Sequence, residues 1–274
     1  MADALRLMAI LAHPDDETLG TGGILAKYGA EGVEVSLVTA TRGQSGRFLE
    51  HRSGPEHPGP EKLGVIREGE LRAAAEILGV RDITVLDYRD GALDQAEPRE
   101  AIALLAAHLR RVRPQVVVTF AGDGAYGHPD HIAISQLTTA AVVAAADPGH
   151  RDDGGRELSS HAVSKLYYLV SPRAEWEIYQ RAFKKLVSVV DGVEREAVPW
   201  PDWEITTIID TRAHWRTVWK AAQCHRSQIA SYSGLTELRP EVHEELWGHR
   251  HFYRALSTVN GGRQRETDLF EGLR

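Results

Sequence analysis

Arg6-Leu7-Met8-Ala9-Ile10-Leu11-Ala12 runs directly into His13-Pro14-Asp15-Asp16-Glu17, and this stretch decides the fold. A short apolar run that stops at a proline-containing turn reads as a buried strand. Residues 18–32 then follow helical spacing, with Ile24, Leu25 and Tyr28 as the apolar positions. Val33 to Thr39 reads as a second strand, Val65 to Leu78 as a helix stopped by Gly79, and Ile83 to Leu86 as a third strand. Glu97 to Val112 reads as a helix ending before Pro114, and Gln115 to Phe120 as a fourth strand. That strand leads through a glycine-rich turn into His128-Pro129-Asp130-His131, and Pro129 to Ala146 reads as a helix. Strand–helix alternation of this kind implies a parallel sheet with helices on both faces.

Past Ala146 the pattern loosens. Asp147 to Ser160 is polar and glycine-rich and reads as an exposed loop, and Lys165 to Val170 as a fifth strand. Trp176 to Val190, Ala213 to Ser231 and Pro240 to His249 read as helical, and Ile205 to Ile209 as a strand. The polar tail from Gly261 is expected to fray. The fold class is therefore α/β, a Rossmann-like parallel sheet flanked by helices, with an elaborated C-terminal α+β part. Residues 1–274 are expected to form a single domain, with 1–146 as the catalytic half and 161–260 as the elaboration.

Composition narrows the functional classes. With 42% hydrophobic and 26% charged residues the chain is globular, not disordered. A single cysteine, Cys224, excludes a disulfide scaffold and fits a reducing compartment, so the expected location is cytoplasmic. The N-terminus lacks the three-part pattern of a signal peptide. No apolar run approaches the ~20 residues that span a bilayer. A net charge of −7 argues against nucleic acid as a partner. The expected partner is a small molecule, and a homo-oligomer is possible.

Two clusters carry the chemistry: His13-Pro14-Asp15-Asp16-Glu17 after strand one, and Tyr126-Gly127-His128-Pro129-Asp130-His131 after strand four. In an open α/β sheet, ligands bind outside the C-terminal strand ends, where the strand order reverses. An order of 3-2-1-4-5 puts both clusters at that point. Imidazole and carboxylate suit Zn²⁺, and a catalytic zinc keeps three protein ligands. His13, Asp16 and His131 form such a two-His, one-Asp set, which Fe²⁺ or another divalent metal could also occupy. Asp15 and His128 remain as base and acid, with His128 expected as the cationic partner. Neither cluster contains Ser or Cys, so direct attack by water is expected.

Plainer roles are open to some of these residues. Glu17 suits the positive end of a helix. Asp130 is either a first-turn acid or the carboxylate that holds His128 in one tautomer. Gly20-Thr21-Gly22-Gly23 falls too far from its strand for a dinucleotide loop. Ser45 lacks the flanking glycine pattern of a nucleophile elbow. Cys224, beside His225, reads as a buried inert thiol. The six tryptophans read as core and cleft lining, with one or two as a wall for sugar stacking. The long loop within Thr41 to Gly64 is expected to lie over the cleft and to order on substrate binding.

Ala-His-Pro-Asp-Asp-Glu, with His-Pro-Asp-His a little over a hundred residues later, resembles the LmbE-like, N-acetylglucosaminyl-phosphatidylinositol deacetylase family. The resemblance returns in Ala221-Ala222-Gln223-Cys224-His225-Arg226-Ser227-Gln228. It implies a zinc-dependent deacetylase or amidase acting on N-acylated amino sugars, as in the mycothiol and bacillithiol pathways. It implies His13, Asp16 and His131 as zinc ligands, Asp15 as general base, and His128 as acid or oxyanion stabiliser. Tyr126 would assist the oxyanion, Arg67 would contact polar groups of the substrate, and Asp90 would hold sugar hydroxyls. Gln44 in Thr41-Arg42-Gly43-Gln44 stands where relatives commonly carry Glu, at an expected substrate-binding position. The function implied is removal of the N-acetyl group from an N-acetylglucosamine-type conjugate. An amidase of a larger thiol-sugar conjugate and a catalytically inactive sugar-binding member are the alternatives.

Overall fold

A computed structural model of the chain describes residues 4–150, 158–183, 187–262 and 264–274. The first half alternates as β1 (Arg6–Leu11), α1 (Asp16–Leu19), α2 (Gly22–Ala30), β2 (Glu34–Thr41), α3 (Pro60–Ile77), β3 (Asp82–Tyr88), α4 (Pro98–Val112), β4 (Val116–Phe120), α5 (Gly124–Gly127) and α6 (Pro129–Ala146). The second half contains β5 (Lys165–Val170), α7 (Arg173–Phe183), β6 (Val187–Val190), β7 (Val193–Glu196), β8 (Thr207–Asp210), α8 (Trp215–Ala222), α9 (Arg226–Ile229), α10 (Ser233–Thr236), α11 (Pro240–Trp247) and β9 (His249–Ser257).

The main sheet has the order β3-β2-β1-β4-β5-β9-β8, and its first five strands are parallel. β1 lies at the centre, with Leu7 registered against Val35 of β2 and Val116 of β4. Leu7 to Leu11 are all fully buried, as strands sandwiched between two helical layers must be. Strand order reverses between β1 and β4, so the turns after these strands face one crevice. α3 begins at Pro60, earlier than the expected Val65, because proline at a first helical position sacrifices no hydrogen bond.

The C-terminal half departs from expectation in three places before the tail. Helix α7 ends at Phe183, and Val187–Glu196 form a two-stranded hairpin, not the end of a helix. Asp191 (φ 52°) and Gly192 (φ 76°) make its turn, a pair suited to two consecutive positive φ values. Residues 184–186 of the expected helix lie outside the described residues, as do residues 151–157 of the Asp147–Ser160 loop. The expected Ala213–Ser231 helix breaks at Gln223-Cys224-His225 into α8 and α9. β9 falls where no strand is expected and joins β5 to β8 by antiparallel pairing.

The tail is anchored, not frayed. Leu269 and Phe270 are fully buried, the Leu269 amide donates to the Tyr28 hydroxyl (2.8 Å), and Phe270 packs edge-on against the Tyr28 ring. Glu266 accepts from Lys165 Nζ (2.7 Å), the Tyr167 hydroxyl (2.8 Å) and the Thr207 hydroxyl (2.8 Å). Trp176, Trp215 and Trp247 are core residues, and Trp203 is 81% exposed. No described helix is long and apolar enough to cross a membrane.

Candidate active site

The turn after β1 brings His13 and Asp16 together. The Asp16 carboxylate accepts the backbone N–H of His13 (2.8 Å) and lies 3.5 Å from His13 Nδ1. His131 arrives from the first turn of α6, its ring stacked on Phe120 at the end of β4 (centroids 3.9 Å apart). Its Nε2 lies 3.2 Å from His13 Nδ1 and 3.5 Å from Asp16 Oδ1. Burial depresses the His131 imidazole to about 3, so the ring is neutral. Burial opposes charge on Asp16 too, but the imidazoles of His131 and His13 outweigh it and hold the carboxyl well below its usual range.

The two imidazole nitrogens and the Asp16 carboxylate, whose Oδ2 faces His13 and whose Oδ1 faces His131, lie close enough together to hold a divalent cation. Tetrahedral ligands at zinc distances stand roughly 3.3–3.5 Å apart. His13 Nε2 faces the carboxylates of Asp130 (3.0 Å) and Asp90 (3.1 Å), so its proton resides there and its Nδ1 turns a lone pair toward His131 and Asp16. Lone pairs converging at such distances repel unless a cation or proton lies between them. A second grouping, His13, His128 and Asp130, is also close enough to hold an ion. Its lone pairs are already engaged: Asp130 accepts from Gly91 N (2.7 Å), Leu93 N (3.0 Å) and His13, and His128 Nδ1 accepts from Asp130 N (3.2 Å).

Asp130 is a first-turn acid of α6, as one of the two readings expects, and its carboxylate turns to His13 and not to His128. Its carboxylate fixes the tautomer of His13, and only its backbone N–H reaches His128. Asp90 also backs His13, with its other oxygen accepting Ser45 N (2.8 Å). Burial lowers the basicity of His128, and the neighbouring His13 lowers it further. Tyr126, held in a kink of α5, stands edge-on to the rings of His128 and His131. Burial keeps its hydroxyl protonated far beyond the ordinary range.

Asp15 adopts a left-handed backbone (φ 105°, ψ −25°), which is unfavourable for a side chain-bearing residue. Arg67 and Glu17 hold it. Arg67 Nη2 donates to Asp15 Oδ2 (3.2 Å) and to Pro14 O (2.5 Å), and Glu17 Oε2 accepts the Asp15 N–H (2.9 Å). Burial pushes the Asp15 carboxyl up to about 6, against the pull of Arg67. The other nitrogen of Arg67 donates to Gly43 O (2.7 Å). Gly43 has φ +63°, and any side chain there would collide with this guanidinium.

These groups floor an open cleft of about 610 Å³, walled by Ser45 to Arg47, Arg52, Tyr232 and the β6 residues Val187 to Val189. Part of the long loop therefore does border the cleft. Ser227 O accepts Leu49 N (2.7 Å) and Arg47 O accepts Gln228 Nε2 (2.5 Å), so α9 ties that segment down. Gln44 stands apart, lining a neighbouring cleft with Arg52, Arg89 and His57. No tryptophan lines the main cleft among the described residues, so no sugar-stacking wall of tryptophan forms.

Residues 8–142 match the family of GlcNAc-PI de-N-acetylase, PIG-L. The chain is 36% identical to the 1D-myo-inositol 2-acetamido-2-deoxy-alpha-D-glucopyranoside deacetylase of Geodermatophilus obscurus, over 100% of this chain and 99% of the relative. The chain belongs to the PIG-L family. It is likewise 36% identical to the deacetylase of the same name from Thermomonospora curvata, over 98% and 97% of the two chains. Among solved structures it resembles the conserved protein TT1542 of Thermus thermophilus, with a TM-score of 0.64, 26% identity, and 94% and 97% of the two chains covered. As a PIG-L member the chain is a deacetylase, a hydrolase of the α/β class.

The PIG-L site contains groups that the two motifs do not announce. His225, next to Cys224 in the sequence, sits 2.6 Å from Glu17 Oε1. Cys224 itself is half-exposed, not buried. The β6–β7 hairpin that walls the cleft was signalled by Asp191-Gly192 between two β-prone segments.

Proposed function

We propose that this cleft removes the N-acetyl group from an N-acetylglucosamine-type conjugate with an inositol aglycone, using zinc or another divalent metal held by His13, Asp16 and His131. The convergence of those three ligand atoms beside the spare carboxylate of Asp15 carries the reading. The substrate follows the names of the two relatives that match the whole chain.

When bound, the cation supplies Lewis acidity to the acyl oxygen and to the attacking water. Asp15 takes the proton from that water. A carboxyl raised to about 6 can hold the proton at neutral pH and deliver it to the departing nitrogen. His128 Nδ1 is engaged as an acceptor, so Nε2 bears the proton and serves as a neutral donor to the developing oxyanion. This replaces the cationic role expected from sequence. Tyr126 supplies a second O–H donor. The hydroxyl of Ser45, on the cleft wall, is donated to Asp90 O (2.9 Å), and not to a base among the described residues. The acyl group is therefore transferred to water directly.

Acetate release tests the reading. The metal-loaded enzyme should release acetate from 1D-myo-inositol 2-acetamido-2-deoxy-α-D-glucopyranoside faster than from free N-acetylglucosamine. Cleavage of only a larger thiol-sugar amide would establish the amidase alternative, and binding without turnover would establish an inactive member.

A further inference from the structure

We infer that Glu17 and His225 are positioning residues that act on the reaction through the backbone of Asp15. Glu17 is fully buried, and its two oxygens have different tasks. Oε2 accepts the Asp15 N–H (2.9 Å), and Oε1 accepts from His225 Nε2 (2.6 Å) and the Thr18 hydroxyl (2.5 Å). A carboxylate buried without a partner would shift toward its neutral form or draw in water. His225 supplies that partner, and Asp15 and His225 lie 210 positions apart in the chain. His225 is itself 2% exposed, at the start of α9.

The backbone explains why such a clamp exists. Asp15 is the N-cap of α1 with φ at 105°, so its N–H has no place in the helical hydrogen-bond ladder. Glu17 Oε2 is where that N–H finds its acceptor, and this fixes the peptide plane from which the Asp15 side chain projects. Arg67 fixes the other side, through Pro14 O and the carboxylate itself. One anion and one cation thus hold a strained residue from opposite sides. The α9 segment that supplies His225 also holds α3 and the cleft loop: Ser227 donates to the Glu70 carboxylate of α3 through N (2.8 Å) and Oγ (2.6 Å), and Gln228 donates to Arg47 O in the loop. The C-terminal half therefore reaches the base through His225, which does not line the cleft.

This inference rests on Asp15 being the general base, and the test separates the two. Acetate release from 1D-myo-inositol 2-acetamido-2-deoxy-α-D-glucopyranoside is measured for Glu17→Gln, Asp15→Asn and the double variant, alongside metal content and thermal unfolding. Glu17→Gln should lower kcat by ~10–100-fold with little change in KM and full metal content. In the Asp15→Asn background it should cost nothing further, because the group it positions is gone. Equal losses in both backgrounds, or an unchanged kcat in the single variant, would overturn the inference. An Asp15→Asn variant as active as the wild type would overturn the base assignment instead. Should Glu17→Gln fail to fold, His225→Gln and His225→Leu decide: Gln keeps an N–H donor for Glu17 and should retain most activity, whereas Leu should show the kcat loss. Equal activity in those two would also overturn the inference.

Discussion

The His13 ring is gripped through Nε2 by the Asp130 carboxylate at 3.0 Å, and this contact aims Nδ1 at His131 and Asp16. Removing it should loosen the metal without removing a ligand. We predict that Asp130→Asn weakens metal binding by ~10–100-fold, as loss of partners behind a ligand generally does. Competition against a chelator of known affinity measures it. Because Asp90 also reaches His13 Nε2 (3.1 Å), the Asp90→Asn, Asp130→Asn double variant should lose more than either single one. Wild-type affinity in the double variant would remove His13 from the ligand set.

His128 should behave as a neutral donor. His128→Ala is expected to lower kcat by ~10²–10³-fold, the usual cost of losing an oxyanion donor. Metal content should be retained. The basic limb of the pH–kcat/KM profile should stay where it is in the wild type. A basic limb that vanishes with the imidazole would instead show a cationic acid.

The buried tail predicts a large packing effect at an unexpected place. Phe270→Ala should destabilise the fold by ~3–5 kcal/mol, the range for truncating a buried phenylalanine. Denaturant unfolding would reveal it. A loss below about 1 kcal/mol would mean that the Tyr28–Phe270 contact is peripheral to stability.

Glu266 ties the tail to the sheet and should make stability pH-dependent. Burial raises its carboxyl, but hydrogen bonds from Lys165, Asn260, Thr207 and Tyr167 outweigh this and hold it at about 2. A carboxyl depressed in the folded state binds its proton more readily once unfolded. Its contribution is thus complete above the ordinary value of about 4.5 and disappears as pH falls toward 2. Glu266→Gln should flatten the acid side of the stability curve across that window. Parallel curves for the two proteins would refute the assignment.

The first half of the fold was legible because β1 and β4 are apolar runs bounded by turns, and each is followed by a cluster of His and Asp. Knowing that β1 and β4 adjoin was enough to bring His13 and His131 together. β9 was not legible: His249-Arg250-His251-Phe252-Tyr253-Arg254 is rich in cationic residues, and only Arg250 and Phe252 of the strand are buried. Arg250 tolerates burial because Glu175 (2.5 Å) and Leu246 O (2.6 Å) receive its guanidinium, and those partners come from α7 and α11. The hairpin was missed for a different reason. Helical spacing from Trp176 runs on through Val187-Ser188-Val189-Val190, and only the following Asp191-Gly192 marks the turn. Glu17 could be placed at a helix start, but the partner that explains its burial lies in a distant segment.

The placement of β9 between β5 and β8 bears on the order in which a ribosome delivers this chain. β1 to β5 can assemble as soon as Val170 emerges, and β5 then presents an open edge of unpaired amides and carbonyls. Its cover, His249–Ser257, is made only after α7, the hairpin and α8 to α11 have been synthesised. For that interval the nascent protein carries a template for pairing with other chains, so a synthesis pause between residues 170 and 249 would favour aggregation over completion of the sheet.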